Sequence, residues 1–216
     1  YVRVYPENAG PDLVVIAVMT GFQDEIRARI LGINPHILVM NVNGELHNTD
    51  EIVKKIKGVP GVSRAFPFTA FQAMVQNGKQ LSGVAIKGIN AADGQYMGKL
   101  VKEGSVDSLQ RKGSVLIGKE LAKHLGLFLG DSFTIMVPFG GFSPMGSMPE
   151  PVRARVGGIF ETGMYEIDNT LVVMPLSDIE SAMGIGATGI EVKLVDEYKA
   201  GDMKWTILKA LGHDYF

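Results

Sequence analysis

The sequence predicts an α+β fold in two lobes, one of them discontinuous and the other inserted into it. Three observations lead there. The first third reads helix, strand, helix, strand, strand; the end returns to that texture with one strand and one helix; the stretch from 92 to 186 is dominated by short strands. The discontinuous α/β lobe is expected at 13–91 plus 187–216, with helices on one face of a small sheet, and the inserted β-rich lobe at 92–186.

Each element has its own signal. Phe22, Ile26 and Ile30 recur every fourth residue among Asp24, Glu25, Arg27 and Arg29, which predicts an amphipathic helix stopped near Gly32 and Asn34-Pro35. Ile37–Met40 is a short apolar strand. Asn48 stands where it can cap a helix with Glu51 at its third position, Ile52, Val53 and Ile56 on its apolar face and Gly58 as its stop. Phe68–Gln76 and Gln80–Ile89 flank Asn77-Gly78, a strong hairpin signal. In the inserted stretch, Ser114–Ile117 reads as a strand, Lys119–Leu125 as a helix ended by Gly126, and Ser132–Val137 as a strand after the Gly130-Asp131 turn. Strands follow near Val152–Phe160 and Thr170–Met174, and Ser177 with Glu180 forms a capping box. Ile190, Val192 and Leu194 alternate with Glu191 and Lys193, predicting a half-buried strand. Met203, Ile207, Ala210 and Leu211 then share one helical face.

Composition narrows the function. The 216 residues are 46% apolar, enough for a substantial core, and 21 basic against 23 acidic side chains leave a net charge of −2 with no basic stripe. A nucleic-acid surface is therefore not expected. The chain has no cysteine, which removes disulfides, thiol nucleophiles and thiolate metal sites together. Leu13–Met19 is too short to cross a bilayer that needs about 20 apolar residues. Taken alone, it is either a buried element or the last turns of a membrane helix.

The catalytic motifs fail on context. Gly184, Gly186 and Gly189 spell a dinucleotide fingerprint, but with a helix before and a strand after, the reverse of what a pyrophosphate needs. Gly113 and Gly118-Lys119 imitate a phosphate loop, yet Glu120 stands where a hydroxyl must meet magnesium and the intervening residues form a strand. Ser143 sits in an incomplete nucleophile elbow, where Pro144 removes the oxyanion-hole donor. His36, His47, His124 and His213 have no metal-ligand spacing. Glu161, Glu166 and Asp168 around Tyr165 read as a solvated hairpin connection or a loose cation site. No catalytic residue, cofactor or metal is expected.

The distinctive segment is Pro138–Pro151, PFGGFSPMGSMPEP. It is long for a hairpin connection, and Phe139, Phe142, Met145 and Met148 are larger and more apolar than a solvated loop tolerates. Either it folds back as a lid or it projects as an arm towards a partner. Methionine suits adaptable surfaces, and the prolines lower the cost of ordering. Full burial of those four side chains would contribute about 6–12 kcal/mol, against about 4–15 kcal/mol for association. The contact this predicts is weak and quickly reversed.

Several segments resemble one family. GFQDEIRARILGINPHI (21–37), GKELAKHLGLFLGD (118–131), SPMGSMP (143–149) and GIFETGMYEIDNTLVVMPL (158–176) are similar to the LolC/LolE transmembrane subunits of lipoprotein-releasing ABC transporters, over most of residues 13–216. The resemblance implies a MacB-like periplasmic core domain, with a discontinuous α/β porter lobe and an inserted β-rich sabre lobe. It also implies that Leu13–Met19 ends the first transmembrane helix; residues 1–12 match nothing in the family pattern and are set aside as a linker or an appended segment. In LolC-type members a hook at this loop captures the periplasmic carrier LolA. By that resemblance the partner-binding residues are Pro138, Phe139, Phe142, Pro144, Met145, Met148 and Pro149. Polar and basic residues flank the hook in the family; the nearest positions are Thr134, Pro151 and Val152, with Arg153 and Arg155 just beyond. The implied partners are a LolA-like carrier, lipoprotein substrates, a cytoplasmic ATPase subunit and a second permease subunit.

Overall fold

The computed structural model describes residues 35–41, 46, 48–136 and 151–212. The expected helix around 22–30, the run Leu13–Met19, residues 1–12 and the hook positions Pro138 to Pro149 lie outside the described residues.

A ring of paired strands organises the fold. Strand β1 is Ile37–Met40; after helix α1 (Thr49–Lys57) come β2 (Val62–Asn77), β3 (Gln80–Ile89), β4 (Val101–Gly104), β5 (Ser114–Gly118) and helix α2 (Lys119–Leu125). Then follow β6 (Ser132–Met136), β7 (Pro151–Phe160), α3 (Tyr165–Thr170), β8 (Leu171–Pro175), α4 (Leu176–Met183), β9 (Gly189–Leu194) and α5 (Ala200–Leu211). Pairing runs β2–β3–β8–β5–β7–β6 and back to β2, so six strands close on themselves. Two of these contacts, β3 with β8 and β5 with β7, are parallel and the rest antiparallel. Every strand sends alternate residues inward, among them Val75, Ile86, Ile117, Ile135, Val156 and Val172, and α2 adds Leu121 and Leu125 to that core.

A second core lies at the other end of β2. There β9 pairs with β2 from Val62 to Phe68, and β1 pairs with β9. Ile190, Val192 and Leu194 turn one face of this small sheet towards Ile52 and Ile56 of α1 and Ile207 of α5. Strand β2 therefore begins six residues before the expected start at Phe68. Pro67, which argues against a strand interior, sits opposite Ile190 and concealed that extension.

Local signals were mostly met, with instructive shifts. The hairpin forms, but Asn77 is the last paired residue and faces Gln80, so Gly78 and Lys79 make the turn. Gly78 takes the positive φ (58°) that such a turn demands at its first central position, while the Asn77 amide donates to the Leu125 carbonyl at 2.9 Å. Asn48 does precede α1, but in left-handed backbone and without a side-chain cap. Instead its carbonyl accepts from the N–H of Glu51 and Ile52. Ser177 lies inside α4, which starts one residue earlier, so the expected capping box does not form. The false fingerprints have packing explanations: a Cβ on Gly189 would stand 2.5 Å from the Phe68 ring, and one on Gly118 would stand 2.2 Å from the Asp168 carbonyl oxygen.

Strand β9 departs most from expectation. Its polar face is also covered: Glu191 is buried and ion-pairs with the equally buried Lys87 of β3, Nζ to Oε1 2.5 Å. The two strands flank β2, so the pair reaches across it and ties the small sheet to the ring. Tyr96 closes the site, its ring 5.8 Å from the Lys87 ammonium and stacked on Phe66. Burial pushes the Lys87 ammonium below its ordinary pKa and the Glu191 carboxyl above its own, and mutual attraction pulls both back. A buried pair of this kind is costly to break and cheap to replace. Lys87→Met alone is expected to lose about 3–5 kcal/mol in urea unfolding, whereas Lys87→Met with Glu191→Leu retains or exceeds the parent stability.

Candidate functional site

The stems of segment 137–150 locate the candidate site. Met136 at the end of β6 and Pro151 at the start of β7 are Cα partners, the last rung of an antiparallel ladder. Pro151 has no N–H to continue it.

From this rung the register fixes one exposed face. Thr134 faces Arg153, and on the other side Gln76 faces both Thr134 and Leu81. One row therefore reads Leu81, Gln76, Thr134, Arg153 across four strands. The neighbouring row reads Gly83, Met74, Met136, Pro151. At about 4.8 Å between strands the face is roughly 15 Å wide. Phe133, Ile135, Ala154 and Val156 occupy the alternate positions and are buried in the ring, which aims the named rows at solvent. Met74 and Leu81 are 43% and 47% exposed. The result is an open apolar strip beside a guanidinium.

The two arginines expected at the site do different things. Arg155 Nε donates to the Gly130 carbonyl at 2.9 Å and so fastens the turn before β6. Arg153 is exposed and makes no side-chain hydrogen bond or ion pair with a described residue. Of the expected partner-binding residues, these two are the ones described; Pro138, Phe139, Phe142, Pro144, Met145, Met148 and Pro149 are not. Met74 and Leu81 were missed. Their signal was present as apolar residues at solvent-facing alternate positions of the hairpin, but the ring had to close before they stood beside β6 and β7.

The other candidates reduce to structure. Asp168 is buried and accepts from the Thr162 N–H and hydroxyl, both at 2.8 Å, and from the Gly163 N–H. It organises the turn into α3, which replaces the expected solvated hairpin connection. Glu161 instead pairs with Lys119 at 2.8 Å, and the contact holds its carboxyl below the ordinary range. Among the described residues no group of acidic or histidine side chains could hold a metal. His36 Nδ1 accepts from the Leu194 N–H at 3.0 Å and fixes the end of β9. A cleft of about 680 Å³ beside the first turn of α1 is lined by Thr49, Asp50, Glu51, Leu176, Ser177 and Glu180, and the Thr49 hydroxyl donates to the Leu46 carbonyl. No helix of the described residues is long and apolar enough to cross a membrane.

Comparison with known proteins adds the following. Residues 13–204 match the MacB-like periplasmic core domain. The chain is 33% identical over 208 residues to the lipoprotein-releasing system transmembrane protein LolC of Xylella fastidiosa, covering 94% of this chain and 50% of that protein. It is 28% identical over 212 residues to LolC of Neisseria meningitidis, with the same coverage. With LolE of Haemophilus influenzae it shares 25% identity over 206 residues, 91% of this chain and 49% of that protein. The chain thus spans about half the length of these relatives. Among solved structures, the periplasmic region of MacB from Actinobacillus actinomycetemcomitans superposes with a TM-score of 0.56 at 16% identity, over 87% of this chain and 92% of that one. The extracellular domain of the Gram-positive ABC-type transporter YknZ gives 0.55 at 19%, over 83% and 97%. These two show a shared α+β fold.

The division of labour between the arginines can be measured. Arg155→Ala should lower unfolding free energy by about 1 kcal/mol through the lost carbonyl contact. Arg153→Ala should stay within about 0.5 kcal/mol of the parent, as read by urea titration of each variant.

Proposed function

We propose, for a chain that belongs to the MacB-like periplasmic core domain family, that it is the periplasmic domain of a lipoprotein-releasing ABC transporter permease and passes lipoproteins to a soluble LolA-like carrier. The observation that carries this reading is the exposed face of Met74, Leu81 and Arg153, which runs directly into both stems of segment 137–150. In the proposal the segment is the hook: Pro138, Phe139, Phe142, Pro144, Met145, Met148 and Pro149 grasp the carrier while Arg153 steadies it from the sheet. Arg155 then serves the hook indirectly, by holding the turn beneath it. LolC and LolE relatives support the lipoprotein clientele. The work of extraction would come from ATP hydrolysed on a separate cytoplasmic subunit, with a second permease subunit completing the complex in the inner membrane.

The lobes are proposed at 13–91 plus 187–216 and at 92–186. Separate buried clusters among the described residues support more than one packing unit, and the β2–β3 hairpin of the first stretch lends Ala73, Val75, Val84 and Ile86 to the ring core.

The likeness to MacB favours one alternative, an ectodomain that transmits ATP-driven motion to a different periplasmic partner. Deletion of Phe139–Glu150 separates the two. On the leading reading it abolishes carrier binding in a pull-down while the melting temperature holds; unchanged carrier binding, or recovery of an adaptor or hydrolase activator instead, sinks it.

A further inference from the structure

We propose that the outward face of α5, with the turn before it, rests on an anionic phospholipid surface. The inference depends on the reading above, that the domain belongs to a membrane permease, and names a contact on the face of the second core.

Helix α5 buries Ile207, with Met203 and Leu211 packed alongside, in the second core. The opposite face should be polar. Beside exposed Asp202 and Lys209 it carries Trp205, 58% exposed, and Tyr198 in the turn before the helix is 92% exposed. Val195, just after β9, is 79% exposed. Tyr198 stands in the tight turn Glu197–Lys199 that leads into α5, and Trp205 lies on the second turn of the helix itself. Between them Gly201 offers no side chain, and a Cβ there would meet nothing within 4 Å. Each ring therefore stands clear in solvent. Neither the phenol nor the indole N–H has a hydrogen-bond partner among the described residues.

The charges on these elements identify the occupant. Lys204 lies over the Trp205 ring, its Nζ 5.0 Å from the centroid. Lys204 and Lys209 of α5, and Lys54 and Lys57 of the adjoining α1, have no ion-pair partner among the described residues. Lys199 and Lys55, by contrast, are matched by Asp196 and Glu51. Of the described acidic side chains on these two helices, Asp50 and Asp202 remain unpaired. A tyrosine and a tryptophan with one wet end each, at two adjoining helices that carry long unpaired lysines, match the headgroup zone of a bilayer. Rings settle there at the apolar boundary while lysine stems reach up to phosphate. A protein partner would more usually be met by a packed apolar centre with arginine.

Trp205 is the only tryptophan in the chain, so its emission reports this contact alone. The chain is titrated with vesicles of phosphatidylethanolamine and phosphatidylglycerol. The emission should shift to the blue and be quenched by lipids brominated near the headgroup, and Tyr198→Ser should weaken both responses. Lys204→Gln and Lys209→Gln should each lower partitioning about fivefold at low salt. Because Leu13–Met19 could also bind lipid, the titration is repeated with Val14→Asp and Ile16→Asp, where the Trp205 response should persist. Emission indifferent to lipid, or a response lost with the 13–19 run but not with the lysines, overturns the proposal. Carrier binding read on the same variants stays at the parent level; its failure there would fault the hook reading and not this one.

Discussion

Strand β2 contributes its first half to the small sheet under α1 and α5 and its second half to the closed ring, so one uninterrupted run of backbone belongs to two cores. The hand-over occurs at Phe68, which faces Gly189 of β9 on one side and Ile89 of β3 on the other. Its ring occupies the space that a larger residue at 189 would need. Beyond that point β9 diverges and β6 takes over the same edge of β2 from Met74 onwards. The ion pair of Lys87 and Glu191 spans this junction, with Tyr96 packed beside it. Two charges withdrawn from water contribute little to net stability, but they tolerate very little misalignment. The junction thus sets the register of one core against the other, and every other element is placed from it.

The proposed carrier contact and the ring have opposite physical demands. A carrier that must be released needs a modest surplus of binding energy, and a few apolar side chains with one guanidinium supply that scale. A platform that presents them needs rigidity, and a ring of strands with no open seam supplies it. On that proposal Arg155 belongs to the platform and Arg153 to the contact, although they are two residues apart on the same strand.

The periodic parts of the fold were legible in the sequence. The strand Ile37–Met40, the Gly126 stop of α2, the strands around 114, 132, 152 and 170, and the inner face of α5 apart from exposed Ala210 all follow from alternation, helical spacing and punctuation. What stayed hidden depends on contacts distant in sequence. Pro67 argued against a strand that tertiary pairing nevertheless extends through it. Glu191 looked solvent-facing because its partner lies 104 residues away. Ring closure is a property of six registers at once, and no single segment encodes it. The candidate site divides in the same way: its arginines were named from the basic flank that the family resemblance implies, whereas Met74 and Leu81 became part of it only through the β2–β6 pairing.

The rung between Met136 and Pro151 has an evolutionary consequence. Whatever chain lies between them leaves and re-enters the ring at adjacent backbone positions, so its ends are separated by about 5 Å regardless of its composition. Changing the length of such an insertion alters its closure entropy only slowly, by about 0.6 kcal/mol per doubling. The ring therefore behaves as a socket. On the proposed function, a change of the inserted segment would change the partner without renegotiating the architecture that holds it.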